Sequence, residues 1–437
     1  MLFTKVAIKS FGCRTNQEEM NSLRFRLLQQ GVEIVDDIED AQVIIINTCT
    51  VTSSTESKTK RLIKAVAGQN PSAKILLTGC LAQQKPSELK DLDSVFWVVG
   101  NTEKDQIPSI LEKNGGVFQH PFSREIPNLS IKTNEIPSVK DHAGFRTRFP
   151  LKIQEGCNYR CSYCIVPSVR GPSRSAEFSN VLSAFDSALK AGFKEIVLTG
   201  THIGQFAKEQ SASLLELLKE IVSFDGDFRV RLSSLDPRDL SDEILQLVGN
   251  NSKICDHLHI SVQSFSENVL RAMDRPYSDV ERLVSRLSAF RRSFPSAGLG
   301  ADFIVGFPGE TDKDFELTME RVSMVGFSYA HIFRFSARPG TSAISLPEQI
   351  SDSVKTNRSN RLRMLINQSR DDFINKNLTV SKKIIVESES PVRGLTSNYI
   401  HVEIPGLRRS CNSWMDVKVH EAVNGRFHLA QPVWEKT

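Results

Sequence analysis

Leu151-Lys152-Ile153-Gln154-Glu155-Gly156-Cys157-Asn158-Tyr159-Arg160-Cys161-Ser162-Tyr163-Cys164 couples a strand-like run to three cysteines spaced Cys-x3-Cys-x2-Cys. A cubane iron-sulfur cluster normally takes four thiolates. Three on one short loop leave one iron without a protein ligand, open to the amino and carboxylate groups of a methionine-derived cofactor whose sulfonium bond the cluster can break by electron transfer. The competing reading is a structural zinc knuckle, which needs four tetrahedral ligands; no fourth Cys or His lies close by in sequence.

Outward from this loop, strand-like runs recur at Glu195 to Thr199, Arg229 to Ser233, His257 to Val262, Ala301 to Gly306 and Ala330 to Phe335. Amphipathic stretches such as Leu214 to Val222 and Val280 to Phe290 separate them. Six successive βα units predict a partial parallel barrel with functional loops at the carboxyl ends of its strands. Gly200, Ser233, Ser234, Gln263 and Gly306 fall on those loops and are the expected cofactor contacts. Any one of them is equally well explained as turn punctuation.

Upstream, a second alternation has strands at Val6 to Phe11, Val43 to Asn47, Ile75 to Thr78 and Val95 to Val99, an α/β domain with a parallel sheet. Three of these runs end in cysteine: Gly12-Cys13, Thr48-Cys49 and Gly79-Cys80. The carboxyl ends of parallel strands share one edge, so the three thiols can converge on a second cluster with its own open iron. Three thiols packed as small apolar groups is the alternative. Gly115 to Ala143, rich in Pro, Ser, Asn and Lys, reads as a linker.

Downstream, Lys382 to Glu387, Tyr399 to Ile404, Trp414 to His420 and Arg426 to Leu429 predict a small β-barrel. From Lys376 onward nine Lys and Arg face six Asp and Glu, a modest lean towards RNA. Lys382, Lys383, Arg408 and Arg409 are its candidate phosphate contacts, and the segment is expected to be removable without disturbing either cluster. The boundaries read as 1–114, a linker at 115–142, 143–372 and 375–437.

Composition sets the class. The 437 residues are 40% hydrophobic and 24% charged with net charge +4, ordinary for a globular chain. Eight cysteines in such a chain suit metals better than disulfides. Apolar runs are far too short to span a bilayer and the N-terminus shows no secretory pattern, so no membrane association and a cytoplasmic location are expected.

Taken together, the cysteine sets, Ile165-Val166-Pro167, Arg170-Gly171 and Gly306-Phe307-Pro308-Gly309-Glu310 resemble the methylthiotransferase family of radical S-adenosylmethionine enzymes over nearly the whole chain. That resemblance implies two 4Fe–4S clusters, S-adenosylmethionine, and a terminal RNA-binding β-barrel of the TRAM type. Gly12-Cys13-Arg14-Thr15-Asn16-Gln17, Arg170-Gly171-Pro172-Ser173-Arg174-Ser175 and Arg338-Pro339-Gly340-Thr341 look most like the branch acting on threonylcarbamoyladenosine beside the tRNA anticodon. The implied chemistry is radical activation of an adenine C–H bond and delivery of a methylthio group assembled at the N-terminal cluster. Its implied partners are the anticodon stem-loop and a low-potential donor such as flavodoxin or ferredoxin.

Tyr163 would stack on the cofactor adenine, or be a core ring. One departure stands out: Phe265 occupies a position where relatives usually have Gly, which puts a bulky ring near the expected cofactor edge. The rival activities are methylthiolation of isopentenyladenosine in tRNA or of a ribosomal protein. A non-catalytic iron-sulfur RNA-binding or redox protein is the rival from another class, and it predicts fully ligated four-Cys centres.

Overall fold

The described residues fall into three units, the first with a hydrophobic core on each face of its sheet. The computed structural model describes residues 3–50, 53–122, 136, 138, 147–275, 279–378, 380–421 and 427–433. In the first unit, β1 (Lys5–Ser10), β2 (Glu33–Val35), β3 (Val43–Thr48), β4 (Lys74–Gly79), β5 (Val95–Val99) and β6 (Gly116–Phe118) form one parallel sheet in the order β2-β1-β3-β4-β5-β6. Strand β3 is apolar on both faces because both faces are covered. Ile44 and Ile46 pack towards Ile63 and Val66 of helix Ser53–Gln69, while Val43 and Ile45 pack towards Met20, Leu23 and Leu27 of helix Arg14–Gln29.

Two short edge strands, β2 and β6, escape the sequence reading because three residues carry no usable periodicity. Strand β6 falls inside the expected linker. The linker reading therefore fails at its start, and its residues 123–135, 137 and 139–142 lie outside the described residues.

The second unit holds β7 (Arg148–Glu155), β8 (Arg174–Ser175), β9 (Glu195–Gly200), β10 (Arg229–Leu232), β11 (His257–Gln263), β12 (Gly298–Val305) and β13 (Tyr329–Arg334). They make two sheets, β10-β9-β7-β8 and β11-β12-β13, joined by single bridges at Val230↔Ile254 and Leu235↔Ile260. All but β8 run parallel, giving the expected six-stranded partial barrel. Its convex face, including Leu151, Ile153, Ile196, Leu198, Leu258, Ile260, Phe303 and Val305, packs under the helices in one large core.

Helix Asp352–Asn377 covers β13 and then inserts Phe373 and Ile374 into the core of the third unit. That core lies inside a closed barrel of β14 (Ser381–Glu389), β15 (Val392–Thr396), β16 (His401–Ile404), β17 (Trp414–Glu421) and β18 (His428–Pro432). Five strands replace the four expected from sequence. The apolar pattern of β15 is broken by Arg393 and Gly394, and Tyr399 sits in a turn at φ 75° rather than in a strand.

This small barrel seals the floor of the large one. Arg229 donates to the carbonyls of Lys383 (2.6 Å) and Leu395 (2.8 Å), and Arg231 to those of Ser397 (3.0 Å) and Thr396 (2.9 Å). Glu195, with no exposed surface, pairs with both arginines. The Tyr399 ring stacks on His257 at 4.4 Å and Tyr329 at 5.0 Å. A truncation of the small barrel would therefore remove four hydrogen-bond acceptors from Arg229 and Arg231 and uncover the end of the large barrel, a cost in stability that the expectation of a removable module left out.

Candidate active site

Helix Val166–Arg170 begins directly after the cysteine loop and is the hinge between the two thiol sets. Cys161 is buried, 8% exposed, and its sulfur lies 3.7 Å from an Arg275 nitrogen. Burial pushes the Cys164 thiol up to about 12, so a thiolate there needs a cation beside it. Cys157 lies 3.7 Å from His202 Nδ1. Burial opposes charge on that imidazole, but hydrogen bonds to Asp239 (2.5 Å) and Cys157 hold it up at about 9.

In the first unit, Cys13 precedes helix Arg14–Gln29, Cys49 follows β3 and Cys80 follows β4, all along the carboxyl edge of the sheet. Gly12, at φ 106°, lets its loop close on Cys49: a Cβ there would lie 2.9 Å from Cys49 Cβ and 3.1 Å from its sulfur. Asn16 ties the edge together, donating to the Phe11 carbonyl (2.8 Å) and accepting at its own carbonyl from Asn47 (2.9 Å). The side-chain oxygens of Asn47, Thr78 and Asn101 are buried there without a protein partner among the described residues, as befits an edge built to receive a polar group.

The two sets meet. Cys80 packs against Ile165 and Val169, and Asn101 bridges Cys80 (3.7 Å) and the Val169 carbonyl (2.6 Å). Arg170, 3% exposed, donates to Asn16 (2.5 Å), Glu19 (2.8 Å) and Glu155 (2.6 Å). Lys104 and Lys152 complete a buried network. Burial opposes charge on Glu19, but Arg170, Lys104 and Lys152 hold it well below the usual carboxylate range. Further along the interface, Arg338 grips the Thr50 carbonyl (2.9 Å). Glu19, Asn101, His202 and Arg275 were not singled out from sequence. Their partners lie far along the chain, 21 residues away for Asn101–Cys80, 37 for His202–Asp239, 39 for Arg275–Asp236 and 151 for Glu19–Arg170, so no local pattern announces them.

Around the mouth of the large barrel, Ser233 Oγ is buried without a partner among the described residues, an orphan suited to a polar cofactor. Ser234 is exposed, Gly200 lies against the Gln154 carbonyl, and Gln263 takes a left-handed φ of 71° at the end of β11. Such a backbone in a residue with a side chain is characteristic of functional loops. Gly306 has a structural reason of its own: its N–H donates to Glu310 (2.6 Å), and Lys355 fills the space a Cβ would need. Tyr163 packs with Val269, Met273, Phe307 and Phe335. The ring of Phe265 does not crowd the cofactor edge. Past the turn at Gln263 it is fully buried in the convex core against Phe303 and Phe327, which corrects the sequence expectation.

Residues 151–322 match the model of the radical SAM superfamily, and residues 5–100 that of the uncharacterized protein family UPF0004. The chain is 39% identical to the threonylcarbamoyladenosine tRNA methylthiotransferase of Thermotoga maritima over 90% of its own length and 89% of the relative's. The chain belongs to the radical S-adenosylmethionine methylthiotransferase family. The Bacillus subtilis protein of the same name is 33% identical over 95% of this chain and 94% of that one. A Clostridium botulinum member, named a tRNA-2-methylthio-N(6)-dimethylallyladenosine synthase, is 32% identical over 95% and 94%. Among solved structures, the radical S-adenosylmethionine methyltransferase TsrM from Kitasatospora setae shares the fold, with a TM-score of 0.56 at 12% identity over 78% of this chain and 74% of that one.

In this methylthiotransferase, the four basic residues expected to face RNA separate into two pairs. Lys382 is tied to Asp256 (2.6 Å), and Lys383 lies between Asp227 (3.4 Å) and the Trp414 ring, both turned towards the large barrel. Arg408, 83% exposed, and Arg409, which donates to the Trp414 carbonyl, are open to solvent. No described helix is long and apolar enough to cross a membrane.

Proposed function

We propose that this enzyme converts N6-threonylcarbamoyladenosine at tRNA position 37 to its 2-methylthio derivative. The observation that carries the reading is the pair of three-cysteine sets joined through Arg170, in a chain that aligns end to end with relatives of that named activity. The cofactors are two 4Fe–4S clusters and S-adenosylmethionine. Cys157, Cys161 and Cys164 hold one cluster and Cys13, Cys49 and Cys80 the other. When bound, these groups supply a carbon-centred radical on the barrel side and a sulfur donor on the N-terminal side.

The chain's own residues position them. Arg170, Glu19 and Asn16 fix the N-terminal edge over the barrel mouth. Tyr163, Gly200, Ser233, Ser234, Gln263 and Gly306 are the surroundings of S-adenosylmethionine in this reading. The working division is 1–114 for the N-terminal cluster domain, 143–372 for the radical core and 375–437 for the RNA-binding barrel, with 115–142 between the first two. The partner is the tRNA anticodon stem-loop, the electron source a flavodoxin or ferredoxin, and the compartment the cytoplasm.

Nucleoside mass spectrometry of tRNA tests this directly. In cells whose only copy carries Cys49→Ser, the 2-methylthio derivative is expected to vanish and threonylcarbamoyladenosine to accumulate, while the purified variant still cleaves S-adenosylmethionine. Unchanged product in a variant shown to lack the N-terminal cluster would remove that cluster from the reaction.

For RNA binding, Arg408→Glu with Arg409→Glu is expected to weaken tRNA affinity and lower the log-log salt slope by roughly one unit per lost phosphate contact. The Lys382→Glu change instead breaks the pair with Asp256 and is expected to lower stability first. Filter binding across a salt series, beside thermal denaturation, separates the two effects.

A further inference from the structure

Strands β11, β12 and β13 send alternate side chains into the hollow of the large barrel, opposite those that pack under the helices. His259, Asp302 and His331 stand on that concave side, in the layer above the Tyr399 floor. One carboxylate oxygen is their hub: Asp302 Oδ1 lies 3.0 Å from His259 Nε2 and 3.0 Å from His331 Nδ1. All three ligand atoms lie within 4.8 Å of one another, the only such group of three among the described residues.

We propose that these three side chains bind one first-row divalent cation inside the barrel, a site separate from both cysteine sets. The observed spacing is that of adjacent ligands around one ion, since bonds of about 2.1 Å at right angles put their donor atoms about 3.0 Å apart. Two imidazoles and one carboxylate suit manganese, ferrous iron, cobalt or zinc rather than calcium or magnesium.

The support behind the first histidine is of the kind metal sites use. A ligating histidine typically has its second ring nitrogen held by a hydrogen bond that fixes tautomer and ring plane. With Nε2 on the ion, His259 Nδ1–H donates to the Tyr329 hydroxyl oxygen (2.9 Å), and that hydroxyl donates onward to His257 Nε2 (2.9 Å). Gly300 makes room for this: a Cβ there would meet the Tyr329 ring at 2.2 Å.

Burial is graded across the site. His259 is 8% exposed, Asp302 18% and His331 56%, so the ion would be anchored on the inner side and keep open positions on the other for water or an oxygen donor held in the barrel.

The test uses the holoenzyme with both clusters in their oxidised, EPR-silent state, freed of loosely held metal with EDTA and titrated with Mn2+. Because neither tRNA nor S-adenosylmethionine is present, the result is independent of the assigned reaction. About one Mn2+ per chain is expected to leave the free-ion EPR signal at micromolar concentration and to return when equimolar Zn2+, the stronger binder in the affinity order, is added. Asp302→Asn, which keeps the shape of the site, and His331→Ala, at an exposed strand position, are each expected to weaken binding by roughly tenfold or more with cluster iron unchanged. If wild-type protein takes up no stoichiometric Mn2+ below millimolar concentration, or if both variants bind as wild type does, the three residues are a hydrogen-bonded triad only and the proposal falls.

Discussion

Anaerobically reconstituted Cys161→Ser is expected to hold about four irons where the wild-type chain holds about eight, and to make no 5'-deoxyadenosine above background. Cys161 is the middle cysteine of the loop, 8% exposed and facing Arg275, and in the proposed reading its replacement leaves two thiolates for one cubane. The N-terminal set meets the segment after this loop through packing on Ile165 and Val169 and through the Asn101 hydrogen bond to the Val169 carbonyl, neither of which involves Cys161, and its iron is expected to remain. Iron and sulfide analysis together with chromatography of the nucleoside product reads both halves. Wild-type rates of deoxyadenosine formation in this variant would overturn the assignment of the loop as the radical-generating site.

Arg170→Met is expected to destabilise the fold by about 3–5 kcal/mol, the range for removing one partner of a buried ion pair. The guanidinium is 3% exposed and is shared by Glu19, Glu155 and Asn16 across the junction between sheet and barrel. Its loss leaves Glu19 to Lys104 and Lys152, and Glu155 to Lys152 and Arg174, a buried network short of one positive charge. Arg170→Lys keeps the charge but not the planar fork and is expected to recover only part of the loss. Adding Glu19→Gln to Arg170→Met rebalances the buried charge and is expected to restore part of the stability relative to the single variant. Both acids are held below their ordinary range in the folded chain, so their contribution is complete at neutral pH and fades as pH falls through that lowered range. Denaturant melts of anaerobic holoprotein at pH 7 and in mild acid measure all of this, and additive effects of Arg170→Met and Glu19→Gln would refute the coupling.

Much of this was legible in the chain itself because the decisive signals are local. Cys-x3-Cys-x2-Cys sits within eight residues, and each strand ending in Cys13, Cys49 or Cys80 carries its own apolar run. What the sequence hid is what joins distant segments. Glu19 looks like one more acid on a helix face until Arg170 reaches it from 151 residues away. His259, Asp302 and His331 fall on three different strands, 29 to 72 positions apart, so no local spacing groups them. Lys382 read as a free basic group because Asp256, its partner, lies 126 residues earlier. Phe265 misled because its position along the chain was clear but the turn at Gln263, which aims its ring away from the mouth, was not.

The clasp between Arg229, Arg231 and the carbonyls of the small barrel makes that barrel a jig rather than a leash. A domain on a flexible tether samples many orientations, and its help is measured as an effective concentration set by linker length. Here the chain passes from helix Asp352–Asn377 into β14 through residues 378–380 alone, with Phe373 and Ile374 already seated in the small barrel's core. The small barrel is therefore held to the floor of the large one at one distance and one angle, and whatever it binds is placed relative to the rest of the enzyme by that fixed geometry rather than by the swing of a tether.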